Sequence, residues 1–270
     1  MADPHGTDDL ARDAALLRQA VEDAGKIAMR YFGRSPSVSW KAPNDPVSEA
    51  DLAIDSLLRT RLHGERPSYG WLSEESGEDD DRLYRRRVWV VDPIDGTRAF
   101  LAGNDAFAIS VALLENGRPV LGAIVRPARE QVYFARAEGG ATLNGRPIRV
   151  GGRKTLAACR IIADKAHFRS RKVWPKPWPD MTYVAIPSTA LRLVAVGEGS
   201  CDAMIALRPK ADWDLAAADL LVHEAGGRVI DATGEAPIYN RLYPKQPFIV
   251  AANPHLLPEI DSHLAHWRIR

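Results

Sequence analysis

Cysteine is nearly absent from this chain. It has two in 270 residues, Cys159 and Cys201. They have no metal-ligand spacing, which excludes a cysteine-held zinc site and a disulfide scaffold. Two buried thiols in a cytoplasmic protein are expected instead. Excess charge is also missing, since the formal net charge is +1. Bulk electrostatics therefore offers no surface for a nucleic-acid polymer or a membrane. No apolar run is long enough to span a bilayer. The opening Met1-Ala2-Asp3-Pro4-His5-Gly6 lacks the basic-then-apolar pattern of a secretion signal, and residues 1–7 are expected to be disordered. There is no Walker loop, and Gly197-Glu198-Gly199 lacks the third glycine of a dinucleotide fingerprint. A Gly-x-Ser-x-Gly elbow and an EF-type calcium loop are absent too. No histidine pair has zinc spacing, and His263 and His266 are expected on the surface near the end of the last helix, or paired with its dipole. No repeat or low-complexity tract occurs.

What remains is an ordinary globular composition, 46% apolar and 26% charged, with length for one large domain or two modest ones. Apolar residues at Leu10, Ala14, Leu17, Val21, Ala24, Ala28 and Tyr31 predict a helix over 8–32 that Gly33 stops. A short strand, Val38 to Lys41, and a two-proline loop follow. Ser48 with Asp51 resembles a capping box ahead of a second helix. A strand over Tyr69 to Ser76 runs into Glu74-Glu75, and the charged stretch 77–86 reads as a solvated loop. Strands are predicted over 107–114, 119–125 and 131–137, with turns at Asn116-Gly117 and Asn144-Gly145 and a further short segment over 147–150. Near residue 150 strands begin to alternate with helices: strands over 159–163, 183–186, 202–206, 228–231 and 248–252, and helices over 188–197, 213–225 and 255–267. Phe168 to Asp180, with two tryptophans and three prolines, reads as a long surface loop.

The chain is organised around Val88-Trp89-Val90-Val91-Asp92-Pro93-Ile94-Asp95-Gly96-Thr97. A buried strand ends on Asp92, and Pro93 is expected to stop its pairing. Gly96 permits close approach of backbone to a ligand. Four stretches place carboxylates at element ends: Asp51, Glu74-Glu75, Asp92 with Asp95, and Asp212 with Asp214. Each has a plain explanation alone, as a helix cap, a solvated corner or a partner of a helix dipole. Together, against apolar strand ends, they would repel one another without a cation among them. No Lys/Arg cluster accompanies them all, and all-oxygen ligation suits Mg2+. Several carboxylates could hold two ions about 3.5–4 Å apart for in-line phosphoryl displacement, with Gly96-Thr97 offering N–H groups to a phosphate. The chemistry indicated is metal-assisted hydrolysis of a phosphate ester.

Three motifs in order, Ser73-Glu74-Glu75-Ser76, Asp92-Pro93-Ile94-Asp95-Gly96-Thr97 and Trp213-Asp214-Leu215-Ala216-Ala217-Ala218, resemble the inositol monophosphatase family of Mg2+-dependent, lithium-sensitive phosphatases. Pro46-Val47-Ser48-Glu49-Ala50-Asp51 matches a fourth, and the similarity spans roughly residues 10–255. The resemblance implies a layered αβαβα sandwich of mixed α+β and α/β character. Its antiparallel front sheet would belong to a metal-binding half, 1–150, and a smaller rear half, 151–270, would lie on the substrate side. It implies that Glu74, Asp92 and the Ile94 carbonyl hold one ion, that Asp92, Asp95 and Asp214 hold a second, and that Glu74 helps hold a third. Thr97, oriented by Asp51, would act with Glu74 on the attacking water, and Asp95, Gly96, Thr97, Ser188 and Arg192 would meet the substrate. Lithium is expected to inhibit. Two positions depart from the family pattern: Ala218 replaces a usual Gly, and Pro187 precedes Ser188 where Gly-Ser is common.

Within the family, residues 69–76 and Ser188-Thr189-Ala190-Leu191-Arg192 look most similar to CysQ-type 3′(2′),5′-bisphosphate nucleotidases. That implies conversion of adenosine 3′,5′-bisphosphate to AMP. Loop 168–180 could then receive a second phosphate or a base, or be plain solvated loop. Arg192 is either a phosphate contact or an exposed helical residue. The alternatives are an inositol or other sugar monophosphatase, and a sensor of phosphate ligands without catalysis. A small phosphorylated substrate is the expected partner, for a monomer or homodimer.

Overall fold

The computed structural model describes residues 4–43, 45–76, 80–168, 174 and 176–268. Its centre is a seven-stranded sheet in the order Gly70–Ser73, Arg87–Asp95, Ala108–Glu115, Arg118–Arg126, Gln131–Arg136, Gly140–Leu143, Arg146–Pro147. The apolar run in the strand Arg87–Asp95 is continuous because both faces are covered. Trp89 and Val91 pack with Leu17 and Val21 of helix Pro4–Tyr31 and with Ile54 and Leu58 of helix Glu49–Leu58. Val88 and Val90 belong to a second core with Leu193 of helix Thr189–Gly197 and Leu215 and Leu221 of helix Asp212–Glu224. Met204, Ile249 and Ala251 close that core from a rear sheet. Its five strands run Thr182–Tyr183, Arg160–Ile162, Ala203–Ala206, Ile249–Ala252, Arg228–Ile230. Their alternate residues, Ile205, Val250 and Ala252, face helix Leu257–Arg268 through Leu257, Ile260 and Leu264. Helices, sheet, helices, sheet and helix thus stack in five layers, the αβαβα order expected from the resemblance.

The middle helix Asp212–Glu224 lies very close to the front sheet. A Cβ on Gly122 would sit 2.7 Å from the Ala217 carbonyl oxygen. Gly122 and the small run Ala216-Ala217-Ala218 allow that approach, and Ala218 is fully buried there without strain on the helix.

Several expectations are corrected. The first helix opens at Pro4, inside the stretch expected to be disordered, and proline suits a first helical turn. Strand Gly70–Ser73 joins the sheet parallel to Arg87–Asp95, so the front sheet is mixed at this edge. The chain between them is not merely solvated. It makes the short turn Asp80–Tyr84, where Arg82 is fully buried because its guanidinium finds acceptors in the Asn240 side chain at 2.7 Å and the Arg241 carbonyl at 3.1 Å. The aromatics of 168–180 turn inward, with Phe168 and Trp174 buried against the outer face of the rear sheet. Trp178 stacks on His263 with centroids 4.3 Å apart, which buries a histidine expected at the surface. Arg169, Arg171 and Lys172 lie outside the described residues. Both cysteines are free and buried. No described helix is long and apolar enough to cross a membrane.

Candidate active site

The strand Arg87–Asp95 does not stop at Pro93. Asp92 faces Ser110, and pairing resumes with Asp95 facing Ala108, leaving one extra residue on the central strand. Proline cannot donate to the ladder, and a bulge accommodates that. The irregularity has a chemical result. In a regular strand, residues three apart point to opposite faces, whereas one inserted residue returns them to the same side. Asp92 and Asp95 accordingly converge, and Asp214, in the first turn of the middle helix, meets them. One carboxylate oxygen of each lies within 4.8 Å of the other two. Asp212, only two residues earlier, is on another side of the helix. It accepts from the Asn240 backbone N–H at 2.7 Å and from Gln246 Nε2 at 2.9 Å, and so stands outside the cluster.

Three such carboxylates cannot all ionise cheaply. Burial, then Glu74, Asp95 and Asp214, hold the Asp92 carboxyl well above its usual range. Burial and Asp95 push Asp214 up to about 8, against the opposing pull of Lys210. Burial raises Asp95 despite strong donors, since it accepts from Ser188 Oγ at 2.6 Å and from the Thr189 and Ala190 N–H groups at 3.1 and 2.5 Å. Asp95 is thereby fixed to the start of helix Thr189–Gly197. Pro187 leaves this arrangement intact, because Ser188 caps the helix and accepts from the Leu191 N–H at 3.0 Å.

Asp51 does two things at once. Its Oδ2 accepts from the Ser48 N–H at 2.8 Å, as a capping residue would, and its Oδ1 lies 3.1 Å from Thr97 Oγ1. Thr97 Oγ1 is also 3.0 Å from the Ile94 carbonyl oxygen. Gly96 precedes the short helix Thr97–Leu101 with φ of 98°, and a Cβ there would come 3.2 Å from the Ala106 carbonyl. Only glycine takes this conformation without strain.

Glu74 follows the end of strand Gly70–Ser73, and burial raises its pKa. A residue the sequence reading did not single out meets it there. Lys41, on the hairpin Val38–Ala42 with Asp45–Ser48, places Nζ 2.7 Å from Glu74 and 2.9 Å from Glu75. Burial works against its charge, but Glu74 and Glu75 outweigh it and raise the Lys41 pKa. Burial likewise lifts Glu75 to about 7. The signal for Lys41 was slight, a lone cation beside an exposed tryptophan on a short strand.

The model of the inositol monophosphatase family matches residues 9–266. The chain belongs to the inositol monophosphatase family. It is 40% identical over 237 residues to an inositol-1-monophosphatase of Rhizobium meliloti, covering 83% of this chain and 88% of that protein. It is 28% identical over 262 residues to the 3′(2′),5′-bisphosphate nucleotidase CysQ of Haemophilus influenzae, covering 91% of each. Among solved structures, an IMPase of Thermotoga maritima superposes with a TM-score of 0.79 at 27% identity, over 96% of this chain and 97% of that one. As a member of this family, the chain is a metal-dependent phosphatase.

The residues present fit a hard cation. The donors are all oxygen, three converge, and the buried Asp92 Oδ1 has no hydrogen-bond partner among the described residues. Lys41 supplies a positive charge to Glu74 and Glu75 from the other side. Arg192, weighed for phosphate binding, donates instead from Nε to the Ile186 carbonyl at 2.6 Å and from one Nη to the Pro187 carbonyl at 3.2 Å. In this arrangement it secures the backbone ahead of Ser188.

Proposed function

We propose that this family member is a Mg2+-dependent phosphomonoesterase whose preferred substrate carries a second anionic group, a 3′(2′),5′-bisphosphate nucleotide. The convergence of Asp92, Asp95 and Asp214 beside Thr97 and Asp51 carries the reaction class. Glu74, Asp92 and the Ile94 carbonyl would hold one ion, Asp92, Asp95 and Asp214 a second, and Glu74 would contribute to a third. Bound Mg2+ would neutralise charge on the phosphate oxygens and on the leaving oxygen. The Thr97 hydroxyl donates a hydrogen bond to Asp51, which leaves the Oγ1 lone pairs free to accept a hydrogen bond from the attacking water. Glu74 accepts the other proton of that water. The N–H groups of Gly96 and Thr97 contact the phosphate, and Ser188 keeps Asp95 in place beside the substrate.

Charge supports the bisphosphate. Half-buried Lys210 is close enough to Asp95 and Asp214 to oppose the rise that burial imposes on both. A cation beside the cluster suits an extra phosphate. The second reading, inositol 1-phosphate, is favoured by the 40% identity to the Rhizobium meliloti enzyme. Phosphate release from adenosine 3′,5′-bisphosphate and inositol 1-phosphate, side by side with Mg2+, decides between them. A nucleotide preference is expected, with inhibition by lithium. In Lys210→Ala, KM should rise more for the nucleotide than for the inositol ester. Preference for the inositol ester would replace the nucleotide reading, and ligand binding with no release from either would favour a sensor.

A further inference from the structure

Asp214 reaches the metal cluster from an element remote in sequence from Glu74, Asp92 and Asp95. Something must set the position of its helix. The loop 238–246 grips the start of helix Asp212–Glu224. Asp212 is fully buried, and its two carboxylate oxygens accept from the Asn240 N–H at 2.7 Å and from Gln246 Nε2 at 2.9 Å. The Asp212 N–H donates to the Pro244 carbonyl at 2.9 Å. Further along the same helix, Asp219 accepts from Tyr239 Oη at 2.7 Å.

Arg82 ties this loop to the opposite wall of the site. One of its Nη atoms donates to Asn240 Oδ1 at 2.7 Å and to the Arg241 carbonyl at 3.1 Å, while Asn240 Nδ2 returns a bond to the Arg82 carbonyl at 3.0 Å. The backbone of Arg82 presses on Gly70, where a Cβ would come within 2.9 Å of it. Gly70 opens the strand Gly70–Ser73, whose next residue is Glu74, and the Glu74 N–H donates to the Val91 carbonyl at 3.2 Å, beside Asp92. Backbone packing at Gly70 therefore joins the Glu74 strand to Arg82, and short polar contacts run on from Arg82 through Asn240 and Asp212 to the turn that carries Asp214.

We propose that Arg82 and Asn240 are positioning residues for the metal site shared by Asp92, Asp95 and Asp214. They fix the helix bearing Asp214 against the strand leading to Glu74, and so set the separation of the carboxylates. This rests on the proposed ligand role of Asp214. Partners that orient metal ligands typically change affinity about tenfold to a hundredfold when removed.

The test is Mn2+ binding to the metal-free protein, read from the electron paramagnetic resonance signal of free Mn2+. Arg82→Lys keeps the charge but loses the fork. Asn240→Gly removes the bridging amide and tolerates the left-handed backbone at this position, φ of 60°. If Arg82→Lys fails to fold, Asn240→Gly still decides. Asp214→Asn marks the affected site. Arg66→Lys, which disturbs the ion pair to Asp13 and leaves the Arg82–Asn240–Asp212 contacts in place, controls for loss of stability. Expected is about tenfold weaker binding in both brace variants at the site that Asp214→Asn loses, with no change in Arg66→Lys. Excess Mg2+ should restore kcat in the brace variants and not in Asp214→Asn. Wild-type Mn2+ affinity in both brace variants would overturn the proposal. Unchanged binding in Asp214→Asn would overturn the ligand assignment beneath it.

Discussion

Asp92 is buried, with one oxygen lacking a hydrogen-bond partner among the described residues and four carboxylates, Glu74, Asp95, Asp214 and Asp51, close enough to raise its pKa. A neutral isostere relieves that repulsion but cannot hold a cation. Asp92→Asn should cut turnover about a thousandfold or more, the scale of losing one strong electrostatic stabiliser, while the metal-free protein melts no lower than wild type. Phosphate release and thermal denaturation in EDTA check both halves. Among the described residues, Thr97 Oγ1 lies within hydrogen-bond distance of Asp51 Oδ1 and the Ile94 carbonyl oxygen. Thr97→Ala should therefore lower kcat about a hundredfold with little change in KM, because water positioning is lost and binding is not. An unchanged kcat in steady-state kinetics would remove Thr97 from the reaction.

At the scale of elements, the site depends on how closely helix Asp212–Glu224 approaches the front sheet. Gly122 allows contact of backbone with backbone at Ala217. In Gly122→Ala the new methyl would meet the Ala217 carbonyl at 2.7 Å, and neither side of that contact is a flexible side chain. The helix must move away and carry Asp214 with it. A loss of about 1–3 kcal/mol is expected from overpacking, with weaker Mg2+ activation. Urea unfolding and a Mg2+ titration of activity measure the two effects. A destabilised variant with wild-type Mg2+ dependence would show that the helix position is not what sets the site.

The whole molecule carries an unusual load of buried acid. Burial raises Asp214 to about 8, Glu75 to about 7 and Asp219 to about 6. In the unfolded chain such groups titrate near pH 4. Between about pH 4 and 8 the folded state thus binds more protons, so stability of the metal-free protein should fall as pH rises through that window. Held there as proposed, Mg2+ would favour the ionised carboxylates and should flatten the part of the slope owed to the cluster. Asp219 faces Tyr239 rather than the cluster, so its share should persist with Mg2+ and vanish in Asp219→Asn. Melting temperatures from pH 5 to 8, with EDTA and with Mg2+, test the sign. A rise with pH in EDTA would contradict it.

Local pattern sufficed for much of this. The run Val88 to Val91, the helical spacing from Leu10 to Tyr31 and the turn at Asn116-Gly117 follow from side-chain size, period and backbone freedom, which act over a few residues. The identity of the acidic motifs was likewise legible, since three short segments in order carry the family resemblance. Long-range packing decided the rest. A Pro93 bulge turns Asp92 and Asp95 to one side, because strand pairing with Ser110 and Ala108 continues past the proline. Arg82 is buried inside a charged stretch because its acceptors come from residues 240–242, far along the chain. Lys41 reaches Glu74 only because a hairpin folds over it. The aromatics of 168–180 are core because the rear sheet has an outer face to cover. In each case the partner that fixes the side chain is distant in sequence, and short-range preference holds no information about it.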